Sequence, residues 1–229
     1  MENMNPVNIT IYSDLICPWC YIGQRRLRDG LKLLDATANE IAIHWKAFEL
    51  NPDMPAEGLN RKKYRTAKFG SWERSQAMDA QVVSVGKSLG LNFNYDMVQI
   101  TPNTFHGHRL IWWSRRFEKQ DQTAVALLEA YFSDGLDVGN PKVLAEIAAK
   151  VGIPAKDAAA FLASEEGAKE VLEEEQEARI AGVNGVPFFV INGQPAFSGA
   201  QSPEHIAEAI TNAAQAGEKC GPDSCSVTQ

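Results

Sequence analysis

The sequence predicts an α/β fold in which a β-α-β half and a β-β-α half share one sheet, with a long helical block inserted between them. Three observations carry this reading. Alternating apolar residues occur only near the two ends of the chain, helix signals fill the middle, and a cysteine pair sits where the first strand meets the first helix. "VNITIYSD", residues 7 to 14, sets Val7, Ile9 and Ile11 against Asn8, Thr10 and Tyr12, as a strand does. A helix follows over about residues 18 to 38, with Leu27, Leu31 and Leu34 at helical spacing, Arg25, Arg26 and Arg28 interleaved, and Gly30 weakening it slightly. "IAIHWKAF", residues 41 to 48, alternates again as a second strand.

From Glu49 the pattern changes. "ELNPDMPAEG" is a Pro/Gly-rich linker, and the chain to about residue 181 reads as largely helical. Ser71 is placed to cap a helix running to about Leu89, and Thr101 or Asn103 to cap one through Phe117. Asn140-Pro141 joins a cap to a proline at the first helical position. "SEEGAKEVLEEEQEARIAGV" is a high-propensity helix ending near Gly182. Strand signals return in "PFFVINGQPAFSG", two short runs about Asn192-Gly193, the strongest short hairpin signal. Ser202-Pro203 opens a last helix, "SPEHIAEAITNAAQ". The expected organisation is a discontinuous sheet domain over residues 1–50 and 171–216, a helical insertion over 51–170, and a flexible tail over 217–229. An insertion at a surface loop costs little chain entropy.

Composition narrows the function. Length fits one large domain or one domain with an insertion, and 45% hydrophobic with 22% charged residues is ordinary for a globular chain. No apolar run reaches the roughly 18 residues of a membrane span. A net charge of −7 argues against a nucleic-acid partner. The start, Met-Glu-Asn-Met-Asn-Pro, has no basic region, apolar core or small-residue cleavage site, so the expected compartment is the cytoplasm. There, paired cysteines are catalytic, redox-sensing or metal-binding more often than structural.

"SDLICPWCYIG" spans Ser13 to Gly23. Cys17 lies just ahead of a helix, where unpaired N–H groups and the positive end of the helix dipole favour a thiolate, and Pro18 suits the first helical position. Cys20 is one turn on, close enough for a reversible disulfide. Cys17 is expected to be the exposed nucleophile and Cys20 the resolving thiol. The competing zinc reading would need Cys220 and Cys225, some 200 residues away on the tail.

"SDLICPWCYIG", "FELNP", "TPNTFHGHRLIWW" and "GVNGVPFFVINGQPAFSGAQSPE", with the long helical insertion, resemble the DsbA-like thiol oxidoreductases, specifically the FrnE-type branch, over about residues 7 to 215. The resemblance implies a thioredoxin-like fold and disulfide exchange with protein thiols or glutathione. No bound organic cofactor, metal or membrane partner is implied. It places Pro187, with a cis bond, and Val186 against the disulfide, presenting backbone to the substrate peptide, while Pro18 and Trp19 are further substrate-binding candidates, Trp19 with shielding of Cys17 or simple packing as its other readings. Periplasmic DsbA proteins carry a histidine between their cysteines. Here Pro18-Trp19 is closer to the Pro-Tyr of glutaredoxins, so an intermediate potential is expected. A role in oxidative-stress protection fits this reading.

"CGPDSC" holds Cys220 and Cys225 about a turn-rich segment, a candidate second redox pair exchanging with Cys17–Cys20, or two incidental thiols. All four thiols together could capture a soft metal. His106 and His108 are two apart on a helix and share no face, so they make a poor metal pair. The basic "RKKYRTAKFGSWER" and acidic "EVLEEEQE" read as solvated helix faces, the basic one with a second reading as a guide for an acidic substrate. No phosphate loop or dinucleotide fingerprint supports direct NADPH use. Two rival functions remain: a glutathione-dependent isomerase of the 2-hydroxychromene-2-carboxylate type, whose members typically carry serine at the nucleophile position, and a redox-sensing or metal-buffering protein.

Overall fold

A computed structural model describes residues 6–34 and 40–219. Strand β1 (Val7–Ser13) buries Val7, Ile9 and Ile11 and pairs in parallel with β2 (Ile41–Ala47), Ile9 opposite Ile43 and Ser13 opposite Ala47. Helix α1 (Pro18–Leu31) forms the crossover between them. The insertion contributes the short pair β3 (Leu59–Asn60) and β4 (Ile100–Thr101). Its helices are α2 (Arg61–Phe69), α3 (Trp72–Ser88), α4 (Phe105–Trp113), α5 (Gln120–Phe132), α6 (Pro141–Lys150) and α7 (Ala155–Leu162). Helix α8 (Ala168–Ile180) leads back to β5 (Phe188–Ile191), which runs antiparallel to β1, and β6 (Gln194–Ser198) runs antiparallel to β5. The sheet order is β2-β1-β5-β6, and α9 (Pro203–Lys219) closes the described chain.

Local sequence explains most boundaries. Ser71 caps α3, its hydroxyl accepting the Arg74 N–H at 3.1 Å, and Asn140 caps α6 through the Lys142 N–H at 3.0 Å. The β5–β6 turn places both Asn192 (φ 49°) and Gly193 (φ 77°) in the left-handed region, as a type I′ hairpin requires. Three boundaries differ from the sequence reading, the first being that α1 ends at Leu31 rather than near residue 38. Helix α4 starts at Phe105, with Asn103 Oδ1 taking the Phe105 N–H at 3.0 Å, and α9 runs on to Lys219.

The helices seal the sheet. β2 is an edge strand, a position whose free N–H and C=O groups invite unwanted pairing. Here side chains satisfy them. Gln120 on α5 accepts the Trp45 N–H at 3.1 Å and donates to its carbonyl at 2.8 Å, and Glu174 on α8 accepts the Ala47 N–H at 3.1 Å. The acidic run is therefore not wholly a solvated face: Glu170, Glu173 and Glu177 are exposed, but Glu174 and Glu175 turn inward to the end of β2. The basic run is likewise not wholly solvated, since Arg61 is buried against Asp79. One apolar cluster runs from Ile9 and Trp45 in the sheet through Leu110, Leu128 and Phe132 to Phe161. Tyr21 of α1 joins it by stacking on Phe132, with ring centroids 5.9 Å apart.

Candidate active site

The chain leaves the sheet at Ser13 and turns through four residues before α1. The Asp14 carbonyl accepts the Cys17 N–H at 3.1 Å, and the Cys17 carbonyl accepts the Cys20 N–H at 3.0 Å. Cys17 is the N-terminal cap of α1 in extended conformation (φ −88°, ψ 110°), and Pro18 begins the helix. The Cys17 thiol donates to the Val186 carbonyl at 3.3 Å, and the peptide between Val186 and Pro187 is cis. Cys17, Cys20, Val186 and Pro187, far apart in sequence, thus meet at the mouth of α1.

Cys17 is less open than expected. It is 5% exposed and Cys20 is 1% exposed, because the segment carrying Val186 and Pro187 closes over the end of α1. Access to Cys17 is lateral, through a cavity of about 240 Å³ whose lining includes Pro18, Trp19, Leu50, Lys68 and Met78. Trp19 is 36% exposed at its rim. Burial pushes the Cys20 thiol well above the ordinary range, reinforced by the Cys17 thiol, while the Ser13 hydroxyl and the Asp14 N–H act in the opposite direction. The outer thiol is therefore the one available for attack and the inner one is held protonated.

Gly23 sets the spacing between α1 and Pro187. A Cβ at Gly23 would lie 2.9 Å from Pro187 Cγ, closer than real contacts allow. Gly23→Ala is expected to displace Pro187 and loosen the hold of Val186 on Cys17. The reaction of Cys17 with a model disulfide should slow about tenfold with unfolding shifted by only about 1 kcal/mol, checked by reaction kinetics beside denaturant melts.

The cavity has a cationic wall. Asp79 on α3 accepts from Arg61 at 2.7 Å and from Arg65 at 2.8 Å, one carboxylate between two guanidiniums. Lys68 donates to Asn51 Oδ1 and to the Tyr64 hydroxyl, each at 2.8 Å. This positive lining belongs to a chain whose net charge is −7.

Behind the cysteines lies a buried polar cluster of Asp14, Glu49, Thr104, His108 and Glu175. Burial, with the charges of Glu175 and Asp14, raises the Glu49 carboxyl to about 7, against an opposing pull from His108. A carboxyl whose pKa is raised on folding contributes stability that is fully present below its unfolded pKa and is lost as pH rises through its folded pKa. Glu49 therefore lowers stability between about pH 4.5 and 7. Glu49→Gln is expected to flatten the fall in melting temperature over that window, measured by thermal unfolding across pH.

Cys17, Pro18, Trp19, Cys20, Val186 and Pro187 are all placed about one mouth, whereas Cys220 and Cys225 lie outside the described residues. His106 and His108 face different partners: His106 meets Arg109 at 3.0 Å, and His108 turns to Asp14. Among the described residues, no group of three or more His, Cys, Asp or Glu side chains could hold a metal ion, and no helix is long and apolar enough to cross a membrane. Sequence reasoning missed Asp14, Glu49 and Asp79, whereas Arg65 lies in the basic run offered as a guide for an acidic substrate. Asp14 lies inside the quoted cysteine motif, but its burial is a product of the fold.

A four-stranded β2-β1-β5-β6 sheet, with a Cys-x-x-Cys pair at a helix start against a cis proline, defines a thioredoxin-fold protein. The family can be named more closely. A family model described as the DSBA-like thioredoxin domain matches residues 8–211, and the chain belongs to that family. A solved chain from Streptomyces coelicolor described as a probable DsbA oxidoreductase is 30% identical, with a TM-score of 0.83 over 97% of this chain and 100% of that one. A 2-hydroxychromene-2-carboxylate isomerase shares the fold at 14% identity and a TM-score of 0.69, covering 93% of this chain and 99% of that one. The cytosolic disulfide reductase DsbM from Pseudomonas aeruginosa, solved with GSH, shares it at 11% identity and a TM-score of 0.61, covering 93% and 98%. The uncharacterized protein YwbO of Bacillus subtilis is 23% identical over 90% of this chain and 96% of its own.

Proposed function

We propose that the protein is a thiol-disulfide oxidoreductase working through mixed disulfides, with Cys17 as nucleophile and Cys20 as resolving thiol. The observation that carries this reading is the unequal pair: Cys17 borders the cavity and donates to Val186, while Cys20 sits behind it with its thiol held protonated by burial. In the reductive half-reaction a substrate disulfide is attacked by the Cys17 thiolate, releasing one substrate thiol. Cys20 then gives up its proton, attacks Cys17 Sγ and releases the second, leaving Cys17–Cys20 oxidised. Two electrons pass to the substrate, and a dithiol or two glutathione thiols restore the enzyme. The proposed substrates are protein thiols and disulfides or glutathione, with Pro18, Trp19, Val186 and Pro187 forming the groove, and the proposed compartment is the cytoplasm. We further assign residues 51–170 to a helical domain that sets specificity from one side of the site.

A titration in defined glutathione buffers, with alkylation and mass spectrometry of Cys17 and Cys20, tests the reading. A reversible couple between about −180 and −270 mV supports it. A pair that stays unreactive at every ratio, or is protected only by zinc, overturns it. The isomerase alternative predicts that Cys20→Ser keeps full activity with glutathione present.

The tail pair Cys220–Cys225 is proposed as a second redox pair, and the course of α9 constrains how it could act. Asn192 accepts the Asn8 N–H at 2.9 Å at the start of β1 and donates to the Ala213 carbonyl of α9 at 3.3 Å. Asn8 is five residues before Ser13, about 17 Å along a strand that rises toward the cysteines. Helix α9 thus carries the chain to the end of the sheet opposite Cys17. Cys225 is six residues past Lys219, about 20 Å fully extended. Exchange between the tail pair and Cys17–Cys20 is expected, so replacing Cys220 and Cys225 by Ser should lower turnover, and unchanged turnover would contradict it.

A further inference from the structure

The exchange chemistry uses none of the buried polar cluster behind the cysteines, yet that cluster touches the cysteine loop directly. Asp14 is 0% exposed. One of its carboxylate oxygens accepts the Leu50 N–H at 2.7 Å. The other has no hydrogen-bond partner and faces His108 Nε2, also without one, at 3.6 Å. That is an ion contact rather than a hydrogen bond. The main chain of Asp14 meanwhile joins the cysteine loop, its carbonyl accepting the Cys17 N–H at 3.1 Å. The residue that carries this buried charge is thus tied by its backbone to Cys17, three positions on.

The groups facing this pair come from four elements. Asp14 follows β1, Glu49 follows β2, Thr104 and His108 belong to the start of α4, and Glu175 lies on α8 with Arg179 at 3.7 Å. The Thr104 hydroxyl reaches Glu49 at 3.4 Å, and Glu175 accepts the Glu49 N–H at 3.0 Å. Burial opposes charge on His108, but Asp14, Glu49 and Glu175 outweigh it and favour the imidazolium.

We infer that Asp14 and His108 form a positioning pair through which the inserted helices set the reactivity of the Cys17–Cys20 couple. The inference rests on the exchange reading above. Reduction of the couple by a dithiol or two glutathione thiols passes two electrons, joins those thiols in a disulfide and leaves thiols on Cys17 and Cys20, and the attacking species is the thiolate formed when the Cys17 thiol releases its proton. Toward that thiolate the paired carboxylate and imidazolium nearly cancel. Loss of the cation exposes a buried carboxylate that opposes the thiolate, and loss of the carboxylate leaves a cation that favours it. Opposite signs separate this role from structural damage, which would move both variants the same way.

The test is the glutathione titration of Cys17–Cys20 in the full chain, for His108→Gln, Asp14→Asn and the double variant, with circular dichroism confirming that each is folded. His108→Gln should shift the couple about tenfold toward the disulfide and Asp14→Asn about tenfold toward the thiols, some 30 mV each way. The double variant should return to within about twofold of the parent. Shifts of the same sign, or none, overturn the inference. The unsubstituted protein gives a second reading, because coupling is reciprocal. The His108 ring, followed by NMR, should titrate at higher pH in the reduced form than in the oxidised form, and identical titrations overturn the inference even if the variants do not fold. A Cys17–Cys20 pair that forms no disulfide at any glutathione ratio would sink the exchange reading and this one with it. A couple that titrates reversibly but ignores both substitutions would sink only the pairing.

Discussion

Cys20→Ala is expected to convert the protein from a turnover catalyst into a trap. With the inner thiol gone, substrate attacked by Cys17 has no intramolecular route off, and mixed disulfides should accumulate as bands that collapse on reduction. Turnover should fall about a hundredfold or more, and Cys17→Ala should cost as much while trapping nothing, since residues that act as one unit lose their effect together. The asymmetry follows from placement. Cys17 borders the cavity and is tethered to Val186, whereas Cys20 is 1% exposed and has no path to an external disulfide. Non-reducing electrophoresis of both variants after incubation with an oxidised model protein checks it. Equal trapping by both would mean that either sulfur can lead, against the assigned order.

The parts legible in the sequence are those with short-range causes. The cysteine motif, the Asn192-Gly193 turn and the caps at Ser71 and Asn140 each depend on a few neighbouring residues whose backbone preferences are strong. The opposed halves of the sheet were legible for the same reason, since β1, β2, β5 and β6 carry local alternation or hairpin signals. What stayed hidden arises from long-range satisfaction of buried polar groups. Nothing in "EVLEEEQE" says that Glu174 will accept the Ala47 N–H across 127 residues, because an acidic run with good helix propensity looks the same whether it faces water or a strand edge. His108 is a similar case. Its spacing from His106 excluded a shared helical face, and its real partner is Asp14, 94 residues earlier in the chain. The exposure of Cys17 was misjudged because the segment that covers it comes from the other end of the domain.

The insertion thus acts on the site from two sides. Helix α4 reaches the back of the cysteine loop through His108, and helices α2 and α3 build the cavity wall beside Cys17 through Arg65, Lys68 and Asp79. The wall is the more exposed to electrostatic failure, because a single carboxylate serves two cations. Arg61 and Asp79 have side chains only 4% and 11% exposed, and Arg65 is 18% exposed. Arg61 also lies over the Tyr95 ring at 4.7 Å, which holds the guanidinium in place.

Asp79→Asn should therefore cost about 3–5 kcal/mol, since removing one partner from a buried pair leaves charge that neither water nor protein compensates. For a chain of this length that corresponds to a fall in melting temperature of about 10 °C. The cost comes from two guanidiniums left facing each other. Burial already lowers the Arg65 pKa and Asp79 is the main counterweight, with Arg61 acting against it. Arg61→Met in the same chain should recover a substantial part of the loss by removing one of the two cations, a non-additivity that a double-mutant cycle would read directly. The substitution should also leave a mark on chemistry. With the Asp79 carboxylate neutralised, the wall becomes more positive, so the ratio of Cys17 alkylation by anionic iodoacetate to that by neutral iodoacetamide should rise several-fold. An unchanged ratio in a folded Asp79→Asn protein would mean that the cationic wall does not reach the reacting sulfur, and that charge selection of substrates must come from elsewhere on the surface.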